Sequence, residues 1–274
     1  MKGPAEKGKP RGATAAAAAA RLAPALLGIA FLAGWEILVR SAKIPVYVLP
    51  GPIVILETLW RDGPSLLASL LVTLRITLLA LLLAAVAGGA LAFLMAQSRL
   101  IERSLFPYAV ILQVTPLVAI APLIIIWVDN TFLSLLLCAW LVAFFPVVST
   151  TTLGLKSADR TLVDLFRLYG ASRWQVMLQL QLPTALPYFL GGLRISGGLA
   201  LIGAVVAEFV AGTGGTAAGL AFRILEAGYR LEIPKLFAAL LLLALAGIAI
   251  YAGLERLSWL LLRRWHESAL PRER

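Results

Sequence analysis

Residues 164–187 read DLFRLYGASRWQVMLQLQLPTALP, a charged, amphipathic segment set between long apolar runs. Its residue types suit docking rather than bond-making. Leu162, Leu165, Phe166 and Tyr169 recur at i, i+3, i+4 and i+7 and form one apolar helix face, with Asp159, Arg160, Asp164 and Arg167 largely elsewhere. Gly170 ends that pattern, as a residue free to take positive φ commonly does, and Ala171 follows it. A second helix carries Trp174, Met177 and Leu178 on one side and closes at Leu182-Pro183. Two short helices joined at a glycine make a knob shaped for a groove. The same pattern also suits a helix pair lying on a membrane surface, with Arg160, Arg167 and Arg173 on lipid phosphates.

A second candidate is Glu208, which ends the small-residue row Gly192, Ser196, Ala200, Ala204 in an apolar run. A carboxylate at membrane depth has to face protein or water. Two roles follow for Glu208: part of an outer gate lined by Ala204 and Ala200, or a carboxylate bonded to a neighbouring helix. The row itself suits packing inside one subunit, a dimer interface or a pathway, as does Ala84, Gly88, Ala92. Catalytic groups are scarce. One cysteine, Cys138, and one histidine, His266, provide neither a disulfide framework nor a His-rich metal site. No G-x-x-x-x-G-K-[ST] occurs, and the GTGGT at 212–216 reads as a flexible turn.

The elements around these residues are membrane spans. Of 274 residues 61% are hydrophobic and only 14% charged, with a mean hydropathy of +0.92, which makes the bilayer the solvent. Six runs reach the roughly 20 apolar residues a span needs: 22–39, 76–96, 105–127, 132–153, 190–212 and 236–262. The third and fourth are parted only by VDNT. Pro116 and Pro122 interrupt the third and Pro146 the fourth, where kinks are expected. Pro45, Pro50 and Pro52 exclude a continuous helix between spans one and two, and the stretch after them is either a short interface helix or a linker. With both termini inside, sixteen of the 24 Lys and Arg residues fall on the inner side and seven on the outer, leaving Arg194 within a span. The net charge of +10 thus marks membrane orientation and not nucleic acid. Residues 1–21 read as a disordered basic cytoplasmic tail, 22–266 as the transmembrane domain with its core at about 70–256, and 267–274 as a cytoplasmic C-terminal tail.

The segment at 155–187 resembles the cytoplasmic loop of bacterial ABC importer permeases, whose pattern is Glu-Ala-Ala, three residues, Gly, nine residues, Ile, one residue, Leu-Pro. Anchoring on Gly170 puts Asp164 at the Glu, Leu165 and Phe166 at the two alanines, Leu180 at the Ile and Leu182-Pro183 at the Leu-Pro. GASRWQ, LPTALPYFLGGLRIS, TPLVAIAPLIIIW and FFPVVSTTTLGL are similar to the nitrate/sulfonate/taurine branch, over residues 45–266. Leu165-Phe166 and Trp127-Val128-Asp129 depart from the family pattern.

The resemblance implies an all-α integral membrane protein of six transmembrane helices with the type I importer architecture, in the bacterial inner membrane. It implies that Asp164, Leu165, Phe166, Arg167, Gly170, Ala171, Leu180, Leu182 and Pro183 dock an ABC ATPase. Two ATPase copies would bind the ATP and Mg, so this chain carries no cofactor. A second permease copy, by default identical, and a periplasmic or lipoprotein solute-binding protein complete the assembly. The substrate expected is a small nitrate-, sulfonate- or taurine-like anion, or else a thiamine-related pyrimidine or other vitamin precursor. A stand-alone ion-coupled transporter is the alternative of another class; it would call for mid-span titratable residues and internal repeats, and neither stands out.

Overall fold

Alanine and proline decide where the helices begin and end. The structure, a computed structural model, describes residues 11–212, 214–215 and 218–263. α1, Arg11–Ser41, takes in the alanine run at 15–20 and so starts inside the segment expected to be disordered. Alanine has the highest helix propensity, which corrects that expectation for residues 11–21. Residues 1–10, His266 and the tail at 267–274 lie outside the described residues.

The chain turns at 42–51, around Pro45 and Pro50, and α2 starts at Pro52, where a missing N–H costs a helix nothing. α2 runs Pro52–Gln97, 46 residues or about 69 Å. The stretch at 53–63 is therefore neither a separate interface helix nor a linker but the outer part of this rod. Ile55 and Leu66, on either side of Pro64, are buried in one cluster with Leu220, Ile224 and Leu242. That packing outweighs the one backbone bond Pro64 removes. α1 is tied to the same place: Glu36 accepts from the Ile53 N–H at 3.3 Å and pairs with Arg40 at 2.5 Å.

Proline does break the third span. α3, Arg99–Val114, and α4, Leu117–Trp127, meet at 99° across Thr115-Pro116. A residue before proline is pushed out of the helical region, and Thr115 stands at φ −72°, ψ 122°. Its hydroxyl donates to the Ile111 carbonyl at 2.6 Å. Pro122 and Pro146 lie inside α4 and α5 without ending them, since one missing backbone bond does not by itself stop a helix.

α5, Thr131–Lys156, is the axis of the bundle, capped by the Asn130 side chain, which accepts from the Leu133 N–H. It is followed by α6 (Arg160–Leu168), α7 (Arg173–Val176), a π-helical turn (Met177–Gln181), α8 (Leu182–Ala211), α9 (Leu220–Tyr229) and α10 (Ile233–Leu262). α1, α2, α5, the rod Arg173–Ala211 and α10 are each long and apolar enough to cross a membrane, and the bent α3–α4 pair passes the same test when taken together, as a broken span or a re-entrant loop.

α5 packs along α8 and α2 through the small-residue rows. Ala200 and Ala204, two of the candidate pathway residues, are fully buried on the α8 face that meets α5. In this arrangement they lie in the seam between two helices, where small side chains permit close backbone approach. The same holds for Gly88, where a Cβ would stand 3.0 Å from Val147. Ser196 Oγ donates to the Ala143 carbonyl at 2.6 Å across the α5–α8 seam. At Gly203 a Cβ would lie 2.9 Å from Ala139 Cα, a backbone atom that cannot swing aside. Gly203→Ala is expected to destabilise the bundle by about 1–3 kcal/mol, read as a lower unfolding midpoint of the purified protein; an unchanged midpoint would mean that α5 and α8 can separate freely.

Candidate functional site

At one end of the bundle α6 stands clear of the spans. Asp159 caps its start, accepting from the Thr161 N–H at 2.8 Å. Its end is a Schellman turn: Ala171 N–H donates to Phe166 O and Gly170 N–H to Arg167 O, both at 2.9 Å. Gly170 sits at φ +75°, the left-handed conformation that glycine adopts without penalty. Ser172 and Gln175 then form a reciprocal capping box that starts α7 at once. The S-x-x-Q spacing at 172–175 was readable in the sequence.

None of the α6 residues is buried. Leu162 and Leu165 are about half exposed, and Leu168 and Tyr169 are 84% and 82% exposed. A nine-residue helix is too short to hold itself in water by its own backbone bonds, and its apolar side chains are left exposed among the described residues. Asp164 and Arg167 form only an exposed pair at 3.4 Å, a contact of small energetic weight.

The second helix departs from expectation. It does not close at Leu182-Pro183 but passes through the π turn into α8, giving one rod from Arg173 to Ala211. The Leu182 N–H reaches back five residues to the Met177 carbonyl, and this wider turn sits directly before Pro183, whose ring would crowd an α-helical turn. Leu180 is half-buried, and Leu182 and Pro183 are exposed. The rod is keyed to the bundle where it leaves the loop. Met177 is buried with Ala92, Leu155 and Ala185, and Trp174 stacks on Phe93 at 5.9 Å. Lys156 and Glu102 pair across α5 and α3 nearby. All of the docking residues therefore gather at one end, with α6 hinged on Gly170 and α7 rigid with α8.

Glu208 lies at the other end of the same rod, about 53 Å from Arg173 along the helix. It is 2% exposed. Thr73 Oγ1 of α2 donates to Glu208 Oε1 at 2.8 Å and accepts the Leu220 N–H at 2.8 Å; the Ala221 N–H donates to Glu208 Oε2 at 2.9 Å. The carboxylate thus caps the N-terminus of α9 from another helix, where the backbone dipoles favour negative charge. Arg223 strengthens the junction, its Nε donating to Ser69 Oγ of α2 at 3.2 Å. Through a hydrogen bond at 2.9 Å the same guanidinium holds the Glu226 carboxyl below the usual range. Thr73, Gly219 and Ala221 were not singled out by sequence, since α2, α8 and α9 meet only in the fold.

Gly219 is part of this lock: a Cβ there would collide with the Glu208 carboxyl. Gly219→Ala is expected to push the carboxylate off Ala221 and cost about 1–3 kcal/mol, measured as a fall in unfolding midpoint. A midpoint equal to the wild type would show that the carboxylate has room to move.

With this geometry in view, comparison with known proteins is decisive. The family described as "Binding-protein-dependent transport system inner membrane component" matches residues 80–266. The chain belongs to this family. Its relatives include the formylaminopyrimidine transport permease ThiX of Halalkalibacterium halodurans, 34% identical over 242 residues, covering 88% of this chain and 95% of that one. Another is the aliphatic sulfonates transport permease SsuC of Bacillus subtilis, 30% identical over 225 residues, covering 81% and 80%. An amino acid ABC transporter crystallised with histidines shares the fold, with a TM-score of 0.60 at 19% identity, covering 76% of this chain and 97% of that one. This permease is a multi-pass transport subunit of an ABC importer, and the reading as a stand-alone ion-coupled transporter is set aside.

Proposed function

We propose that this permease moves a small solute by alternating access, driven through α6 by a separate ATPase. The observation that carries the reading is the exposed apolar helix α6, set by a Schellman turn on a rod that runs unbroken to Glu208. Two ATPase subunits holding ATP and Mg close beneath two permease copies, and each closure displaces α6 and tilts its rod. Close-packed helices shift as units and resist continuous bending. The tilt therefore reaches the Glu208–Thr73–α9 junction and changes access at that end. In this reading α6 and both termini face the cytoplasm, and a binding protein delivers substrate at the α9 end. The nine docking residues from Asp164 to Pro183 form the contact, with Leu165 and Phe166 giving it a bulkier face than two alanines would.

The substrate in this reading is a small sulfonate- or taurine-like anion, supported by the sequence patterns of that branch and by the sulfonate permease among the relatives. A pyrimidine precursor is the second reading, favoured by the 34% identity to the formylaminopyrimidine permease. Reconstitution with the cognate ATPase and binding protein in liposomes tests both. ATP-dependent accumulation of taurine, and none of formylaminopyrimidine, is the expected result. The reverse preference moves the assignment to the second reading, and uptake that proceeds without any ATPase would sink the mechanism.

A further inference from the structure

Between α8 and α10 lies a cavity of about 430 Å³, outside both the docking loop and the Glu208 junction. Arg194, Ser258, Glu255 and Trp259 line it. Arg194 sits twelve residues into α8 and Ser258 four residues before the end of α10, so the cavity occupies the half of the bundle nearer α6.

Two polar groups in this cavity lack partners. Ser258 is 6% exposed, and its Oγ has no hydrogen-bond partner among the described residues; Arg194 Nε is buried in the same condition. Among the described residues Arg194 meets the Tyr251 ring, 5.7 Å from its guanidinium carbon, near the limit of a cation–π contact. Glu255 lines the same space, yet no ion pair joins it to Arg194 among the described residues. Arg194 as a whole is half-buried, and a guanidinium whose Nε is buried without an acceptor is costly at membrane depth.

The surroundings indicate what fits. Side chains lean toward the N-terminus of their helix, which directs Arg194 toward the α6 end and the membrane surface there. Trp259 supplies an interfacial aromatic, with Arg263 stacked over its ring at 4.9 Å. Leu262 and Pro187 add apolar lining, and Tyr251, whose ring faces Arg194, is half-exposed, as a lipid-facing mouth requires. We propose that this cavity is a phosphate-oxyanion site, in which Arg194 and Ser258 donate to the headgroup of an anionic phospholipid. The guanidinium supplies charge and a directed fork, and the Ser258 hydroxyl supplies a third donor. The inner-leaflet origin of the lipid rests on the orientation proposed above; the site itself does not depend on the ATPase.

The test uses the full chain purified in neutral detergent. Bound lipid is counted by native mass spectrometry, and unfolding midpoints are titrated with phosphatidylglycerol, phosphatidylcholine of the same chains, or inorganic phosphate. Wild type is expected to retain phosphatidylglycerol and to gain midpoint with it but not with phosphatidylcholine. Arg194→Gln is expected to weaken that response about tenfold or more. Protection by inorganic phosphate alone, lost in Arg194→Gln, would support the oxyanion site and assign it to a free anion. Should Arg194→Gln fail to fold, Ser258→Ala is expected to weaken the response and Glu255→Gln, which removes an opposing charge, to strengthen it. Equal responses to all three probes, or phosphatidylglycerol affinities unchanged in both of these variants, would overturn the proposal and leave the cavity to water.

Discussion

Gly170→Val is expected to cut ATPase co-purification and substrate uptake at least tenfold while the permease still inserts and folds. Nothing stands within 4 Å of a Cβ at this position, so the effect is not steric crowding by neighbours. It is conformational. Gly170 holds φ +75°, and a side chain in the left-handed region costs roughly 1–2 kcal/mol, more for a β-branched one. The Schellman bonds from Gly170 and Ala171 then give way, and α6 loses its fixed angle to the rod. A loss of about 1.4 kcal/mol already reduces the correctly presented population tenfold. Gly170→Asn provides the control, since asparagine tolerates this region better than other side chains. It should retain most of the ATPase association. If valine docks and transports like the wild type, α6 presentation does not matter and the coupling reading fails.

Glu208→Ala is expected to lower the unfolding midpoint and uptake together. The variant leaves the Ala221 N–H without its buried acceptor and the Thr73 hydroxyl with only the Ser69 carbonyl at 3.4 Å. An unsatisfied buried donor costs about 1–3 kcal/mol, a large share of a folded protein's margin. Glu208→Gln retains an oxygen acceptor but brings an amide donor where a donor already points, and should fall between. Midpoint and transport measured on the same preparations separate the two roles. Transport lost at an unchanged midpoint would make Glu208 part of a gate. A parallel loss would make it the fastener that joins the rod to α9. A variant normal in both respects would remove Glu208 from the mechanism.

The docking loop was legible because its information is local. The face of α6 and the stop at Gly170 depend on spacings under eight residues, and the structure reproduces them, while the equally local caps at Asp159 and Ser172 emerge from the structure. The end of the second helix was misread for the same kind of reason. Leu182-Pro183 looks like a stop in isolation, but Met177, buried against α2 and α5, holds the chain helical through a π turn. Pro64, Pro122 and Pro146 likewise lie inside helices that continue past them. At Pro116 the chain instead turns by 99°.

By itself the amino-acid sequence determined the solvent, the helical class and the helix face and glycine stop of the loop at 164–187, because hydropathy, helical period and turn chemistry act over a few residues. Only the tertiary structure decided that Ala200 and Ala204 are seam residues and that the loop and Glu208 share one rod. It also brought Thr73, Glu208 and Ala221 together, although 135 positions separate the first two. Hydrogen bonds and close backbone contacts between distant helices depend on how the helices pack in three dimensions, and no pattern along the chain records that.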